Sequence, residues 1–162
     1  MAIKYELARA LALGCLVVAL GACASSRSPG LEPADLPPLV STLDARIVWK
    51  ASVGSAQGEA LQPAATDDAI YAASASGALV RLDPRNGQEV WRADTQQRIA
   101  SGVGTDGDTV VVATSRGQVL AYGADGQHRW TAQATSDVMS PALVGHGLVI
   151  VRATDQRISA FE

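Results

Sequence analysis

The stretch that decides the fold is Pro63–Trp91, which reads PAATDDAIYAASASGALVRLDPRNGQEVW. It contains three short runs typical of β-strands, at Ala69–Ser74, Ala78–Asp83 and Gln88–Trp91. The pair Ser76-Gly77 predicts a turn between the first two runs, and Asn86-Gly87 predicts a two-residue type I′ hairpin before the third. The stretch therefore predicts a small antiparallel sheet that ends in a tryptophan.

The same pattern recurs along the chain. The three tryptophans of the sequence stand 42 and 39 residues apart, at Trp49, Trp91 and Trp130. The further copies run from Ser101 to Trp130 and from Ser140 to Glu162. Turn glycines recur as well: Gly77 matches Gly117, and Gly87 of Asn86-Gly87 matches Gly126 of Asp125-Gly126, whereas Gln156 replaces the first of them in the third copy. Each copy is therefore one structural repeat.

Four short strands in about 40 residues are the signature of a β-propeller blade. Neighbouring blades must cover the two apolar faces of each blade, and a tryptophan in the outer strand is a natural wedge between them because an indole buries about 150–250 Å². The low content of charged residues, 18%, also favours an all-β fold. We predict an incomplete propeller over residues 45–162, with two full blades, most of a third and an orphan strand at Ala45–Ser52.

The N-terminal region predicts targeting and anchoring. Residues 1–22 combine a positive start with a short apolar run, as in a signal peptide, and Leu20-Gly21-Ala22-Cys23 resembles a bacterial lipobox. In that class of signals the cysteine is lipidated, so Cys23 is predicted to carry the lipid; an ordinary secretory signal that contains a cysteine is the alternative. Residues 23–44 are rich in Ser, Pro and Ala and predict a lipidated N-terminus and flexible tether.

The copies resemble the PQQ-like repeat, with its small-residue strand, turn glycine and closing tryptophan. Together with the lipobox, the chain resembles the BamB family, most closely in Trp49–Ser55, Leu61–Ala64 and Ile70–Ala73. The resemblance implies a non-catalytic scaffold of the β-barrel assembly machinery, anchored by lipid at the periplasmic face of the outer membrane of a Gram-negative bacterium. It also implies eight blades, so we expect the sequence to be a fragment of a longer protein.

By the same resemblance, the partners would be the periplasmic domains of the central, BamA-like subunit and nascent outer-membrane proteins. Two alternatives remain: a fragment of a PQQ-dependent, quinoprotein-like oxidoreductase of the periplasm, and a propeller lipoprotein of another periplasmic complex. The net charge of −3 gives no reason to expect nucleic acid as a partner.

The sequence contains no catalytic constellation, and we expect no cofactor and no metal site. Asp106-Gly107-Asp108 has the look of a calcium loop, but it lacks the further ligands, and Asp67-Asp68 occupies the matching turn. His128 and His146 are in turns or next to glycine and are expected to be surface residues. After removal of the signal segment, Cys23 would be the one remaining cysteine, so no thiol is predicted to act as a nucleophile or metal ligand.

Overall fold

The computed structural model describes residues 44–162, and the regular structure in this part of the chain is entirely β. The strands are β1 Ala64–Ala65, β2 Ile70–Ala73, β3 Ala78–Leu82, β4 Glu89–Asp94, β5 Gly104–Thr105, β6 Thr109–Ala113, β7 Gln118–Gly123, β8 His128–Gln133, β9 Leu143–Gly145, β10 Leu148–Arg152 and β11 Ile158–Phe161. The signal segment 1–22, Cys23 and the tether up to residue 43 lie outside the described residues and stay predictions. Within 44–162 no helix is long and apolar enough to cross a bilayer.

The strands form three antiparallel sheets that follow one another along the chain. The first sheet has the order β1-β2-β3-β4, the second β5-β6-β7-β8, and the third β11-β10-β9. The first strands of the three sheets, β1, β5 and β9, are neighbours in space. The prediction of an all-β fold, with two complete four-stranded units and most of a third, is confirmed.

The second sheet is buried on both of its faces. Along β6, Val110 and Val112 belong to one buried cluster with Tyr71 and Leu79 of the first sheet. The alternate residues Val111 and Ala113 belong to a second cluster, which includes Val149 and Val151 of the third sheet. Because successive side chains of a strand point to opposite faces, one run of apolar residues contributes to two interfaces.

The hairpins at Gly87 and Gly126 differ from the type I′ turns that the sequence predicts. Both central residues of a type I′ turn have positive φ, but here only the glycines do, at 70° and 83°. The loops are longer than two residues, since Asp83 N–H donates to the Gln88 carbonyl and Gly123 N–H to the Gln127 carbonyl, at 2.9 and 2.8 Å.

A β-bulge explains why the prediction of type I′ turns was wrong. The ladder shifts register between Arg81 and Leu82 in the first sheet and between Ala121 and Tyr122 in the second. A left-handed glycine at the end of a longer loop, followed by a bulge, is a common alternative to the two-residue turn. A two-residue turn occurs instead at His146-Gly147 in the third sheet, where φ is 54° and 76°.

The predicted strand at Ala45–Ser52 is also wrong, because this segment has no regular secondary structure. A strand needs a hydrogen-bonded neighbour, and none of the strands within 44–162 pairs with it. The region around it is held to the first sheet by separate bonds instead. Ala75 N–H donates to the Ser55 carbonyl at 3.0 Å, and Arg92 Nη1 donates to the Val53 carbonyl at 3.3 Å.

Candidate functional site

The junction between the first and second sheets is built around Trp91 on β4. Its indole Nε1–H donates to the carbonyl of Ala124 at 2.9 Å, in the loop between β7 and β8. The ring lies against Gly126, where an added Cβ would stand 2.8 Å from Cδ2 of the indole. Its centroid is also 6.0 Å from that of Tyr71, whose pKa is raised by burial. Hydrogen bond and ring contact together lock one sheet onto the loop of the next.

Trp49 makes the same pair of contacts one repeat earlier. Its Nε1–H donates to the carbonyl of Pro84 at 2.9 Å, in the loop between β3 and β4. The ring lies on Gly87, and a Cβ at that position would overlap the six-membered ring. The geometry repeats even though Trp49 lies outside any strand.

Trp130 occupies the matching place on β8. Its ring packs against the buried cluster between the second and third sheets, with its centroid 6.1 Å from that of Phe161.

Gly77 and Gly117 lie at the other end of the strands, in the β2–β3 and β6–β7 turns, with φ of 108° and 76°. A Cβ at Gly77 would stand 2.8 Å from the carbonyl oxygen of Gln97, and one at Gly117 would overlap the carbonyl of Ser136. Both glycines therefore allow the loop that leaves the sheet to pass directly over the turn. Gln156 holds the same left-handed conformation in the third sheet, with φ of 69°.

The aspartates that superficially resemble calcium ligands are engaged in turns and ion pairs. Asp106 Oδ1 accepts the N–H groups of Asp108 and Thr109, at 3.1 and 2.8 Å. Asp108 pairs with Arg129 at 2.7 Å, and this hydrogen bond holds the pKa of Asp108 below its usual value. Asp68 pairs in the same way with Arg81, at 3.0 Å. Among residues 44–162 no group of His, Cys, Asp and Glu is arranged to hold a metal ion.

Both histidines are exposed, as predicted, and one of them lies in a turn. His146 is in the β9–β10 turn, as expected, but His128 is the first residue of β8, because the preceding loop closes at Gln127. Its Nε2 is 2.9 Å from the hydroxyl of Thr131, and its ring meets that of Tyr122 edge-on.

Arg81 is a junction residue that the sequence reasoning missed. Its Nη1 donates to the carbonyl of Ala124 at 3.3 Å, the same oxygen that accepts the Trp91 indole, while Nη2 reaches Asp68. Alternation along β3 places Arg81 on the face of Leu79, which packs toward the second sheet. A charged residue on an apolar strand face was the signal that could have identified it.

Comparison with known proteins identifies the family of the chain. A family model described as outer membrane protein assembly factor BamB matches residues 38–100 and 75–162. The chain belongs to the BamB family. It is 37% identical over 151 residues to the BamB of Burkholderia pseudomallei, covering 93% of this chain and 40% of that protein. The chain thus spans about 40% of the length of this curated BamB relative.

Solved structures agree on the architecture. The crystal structure of BamB from Moraxella catarrhalis superposes with a TM-score of 0.58 at 30% identity, over 65% of this chain and 32% of that one. A quinohemoprotein alcohol dehydrogenase from Pseudomonas putida reaches a TM-score of 0.57 at 21% identity, over 65% of this chain and 18% of that one. This second likeness concerns the fold alone.

Proposed function

We propose that the protein is a non-catalytic scaffold of the outer-membrane β-barrel assembly machinery, in which it aids the insertion of β-barrel proteins. The observation that carries the proposal is the BamB family match, which extends over residues 38–162. The relatives are themselves named outer membrane protein assembly factors. The scaffold would act from the periplasmic face of the outer membrane.

The junction geometry supports a rigid platform. Trp91 on the first sheet fixes the β7–β8 loop of the second through one hydrogen bond and one ring contact, so these two sheets have little freedom to slide. Trp49 fixes the β3–β4 loop of the first sheet in the same way. Such a body presents short loops at both ends of its strands. We propose that the complete protein docks on the periplasmic domains of the central, BamA-like subunit.

Nascent outer-membrane proteins would be the second class of partner. The outer strands β4 and β8 each have one edge without a partner strand in the described part of the chain. An extended client segment adds to such an edge through main-chain hydrogen bonds, which require no particular side chains. Crosslinks from a stalled client that map to β4 or β8 are the expected result. Crosslinks confined to the loops would contradict strand addition.

Affinity purification of the intact lipoprotein tests the assembly role. The expected result is co-elution of the central barrel subunit from outer-membrane extracts. Co-elution with a different periplasmic complex, without the barrel subunit, would refute the proposal. Stoichiometric binding of pyrroloquinoline quinone by the intact protein would instead support an oxidoreductase.

The lipid anchor is tested separately at Cys23. Cys23→Ala is expected to abolish incorporation of labelled palmitate and to release the protein from the outer-membrane fraction. Cys15→Ala is the matched control, because it removes the other cysteine of the sequence, which the signal prediction places in the discarded segment. Equal labelling of the two variants would contradict the anchor assignment.

A further inference from the structure

A polar notch lies at one end of the strands, at the junction of the first and second sheets. Its walls are the loop Gln96–Arg98 after β4 and the turn Thr114–Arg116 between β6 and β7, and it encloses about 240 Å³. All six lining residues are polar; two are arginines and none is acidic. This composition is unexpected in a chain whose net charge is −3.

Local hydrogen bonds hold the walls of this notch, which has a volume of about 240 Å³. An isolated β-bridge joins Ile99 to Thr114 across its floor, and both residues are buried. The hydroxyl of Thr114 accepts the N–H of Arg116 at 3.2 Å. On the other wall, Asp94 Oδ1 accepts the N–H of Gln96 at 2.9 Å and holds this residue in a left-handed conformation with φ of 54°. The lining side chains therefore project from a fixed backbone.

The two arginines differ in what they contact. Arg98 donates to Gln57 Oε1 at 3.0 Å and to Glu59 Oε1 at 3.4 Å, so its guanidinium is held in place while more than half of the side chain remains exposed. The guanidinium of Arg116 makes no ion pair or side-chain hydrogen bond with any residue of 44–162. The notch thus contains one guanidinium that is held in a fixed orientation, that of Arg98, and one whose N–H groups have no partner among residues 44–162, that of Arg116.

The internal repeat shows that the fold does not require these arginines. At the junction of the second and third sheets, 39 residues further on, the same positions hold Asp137 and Asp155. The turn is nevertheless closed in the same way, with Gln156 N–H donating to the Ala153 carbonyl as Gly117 N–H donates to that of Thr114, both at 3.1 Å. Two arginines in one junction and two aspartates in the next are therefore not dictated by the turn.

We infer that the notch binds a carboxylate of an acidic peptide segment. A planar guanidinium matches a carboxylate with two parallel N–H···O bonds, which favours Arg116 as the principal contact and Arg98 as the second. The amides of Gln96 and Gln97 and the hydroxyl of Ser115 complement the main chain of a peptide, since they both donate and accept. This inference does not depend on the proposed scaffold function.

Fluorescence anisotropy with the full chain tests the inference, with labelled hexaglutamate as the probe and hexaglutamine as the uncharged comparison. Hexaglutamate is expected to bind at low ionic strength and hexaglutamine is not. Arg116→Gln is expected to weaken hexaglutamate binding about tenfold, because a hydrogen bond to a charged group is lost. Arg98→Gln should weaken it less, because Glu59 already neutralises part of that charge.

Arg157→Gln is the matched control, since it removes an exposed arginine next to the following junction and should leave the dissociation constant within about twofold. Arg116→Asp guards against misfolding, because Asp155 already occupies the same place in the next turn; it should abolish binding with an unchanged melting curve. Equal affinity of the native chain and Arg116→Gln would overturn the inference. So would displacement of hexaglutamate by an equal concentration of inorganic phosphate, which would indicate a site for free anions.

Discussion

The second and third sheets have similar apolar strands but very different burial. In the second sheet, Val110, Val111 and Val112 are all fully buried. In the third sheet, Val151 is buried, whereas Ile158 on the neighbouring strand is 71% exposed. The second sheet has a described neighbour on each face and the third has one on a single face. Contact with a neighbour on each face thus explains the apolar residues on both faces of the second sheet.

The third sheet consequently presents an apolar depression of about 330 Å³, lined mainly by Leu143, Leu148 and Ile150. These residues occupy the face that lies away from the second sheet. A contiguous exposed apolar surface of this kind is typical of an interaction site.

The largest expected effect is the difference between a leucine of the second sheet and a leucine of the third. Leu120 on β7 is 5% exposed and packs between the first and second sheets, whereas Leu143 on β9 is 69% exposed. Leu120→Ala is expected to lower the free energy of unfolding by about 3 kcal/mol, through lost burial and the cavity that remains. Leu143→Ala should change it by less than about 0.5 kcal/mol. Urea denaturation of the full chain measures both, and equal losses would contradict the one-sided burial of the third sheet.

The next effect compares two turn glycines with similar backbones. Gly126 and Gly147 have φ of 83° and 76°, so an alanine at either position carries a similar left-handed strain. A Cβ at Gly126 would also meet the indole of Trp91, whereas one at Gly147 would have nothing within 4 Å. Gly126→Ala is therefore expected to destabilise the chain by about 1–2 kcal/mol more than Gly147→Ala. Equal unfolding free energies would show that the ring contact at the junction contributes nothing.

The sequence predicted the repeat well because its signals are local. Alternating apolar residues and turn glycines lie within a few positions of each other, so two four-stranded units and most of a third could be predicted from them. The hairpin type was not predictable from Asn86-Gly87, since the same dipeptide suits a two-residue turn and the end of a longer loop. Two features distinguish the longer loop from the two-residue turn here: the bulge before Trp91 and the Trp49 ring that lies on Gly87. Both are set by tertiary packing.

The junction and notch residues were missed for a related reason. Arg81 and its acceptor Ala124 are 43 residues apart, and neither belongs to a recognisable motif. Arg98 and Arg116 belong to different elements and line one notch only because the bridge between Ile99 and Thr114 joins their loops. Sequence spacing alone does not reveal such contacts, although comparison of repeats would have shown that these arginines are replaced by aspartates.

A smaller effect concerns the third sheet alone. Gln156 holds φ of 69° in the turn where the second sheet has Gly117, with φ of 76°. A residue with a Cβ is strained in this conformation, so Gln156→Gly is expected to stabilise the chain by about 0.5–1 kcal/mol. The urea midpoint should rise with an unchanged slope. A lower midpoint would mean that the Gln156 side chain makes a stabilising contact that outweighs the strain.

The smallest expected effect concerns a difference between the β3–β4 loop of the first sheet and the β7–β8 loop of the second. Asp83 begins the β3–β4 loop, where the second sheet has Gly123. Arg85 Nη2 and Nε donate to its carboxylate at 2.7 and 3.1 Å, and the Arg85 N–H adds a further bond at 2.8 Å. The side-chain bonds are the main cause, followed by the backbone bond, and together they lower the pKa of Asp83 to about 2.

Because the folded pKa of Asp83 lies below its ordinary value of 3.8, any stabilisation from this carboxylate is present above about pH 4 and is lost as the pH falls toward 2. The Arg85 side chain is 84% exposed and that of Asp83 is 20% exposed. Because the pair stays ionised between about pH 5 and 8, it should not change the stability of the chain measurably in that range. A carbon-13 NMR titration should place the midpoint of Asp83 near 2, and Arg85→Gln should move it upward toward 3.8. The backbone bond survives that substitution, so the midpoint should stop short of the ordinary value; no movement at all would assign the whole shift to the loop backbone.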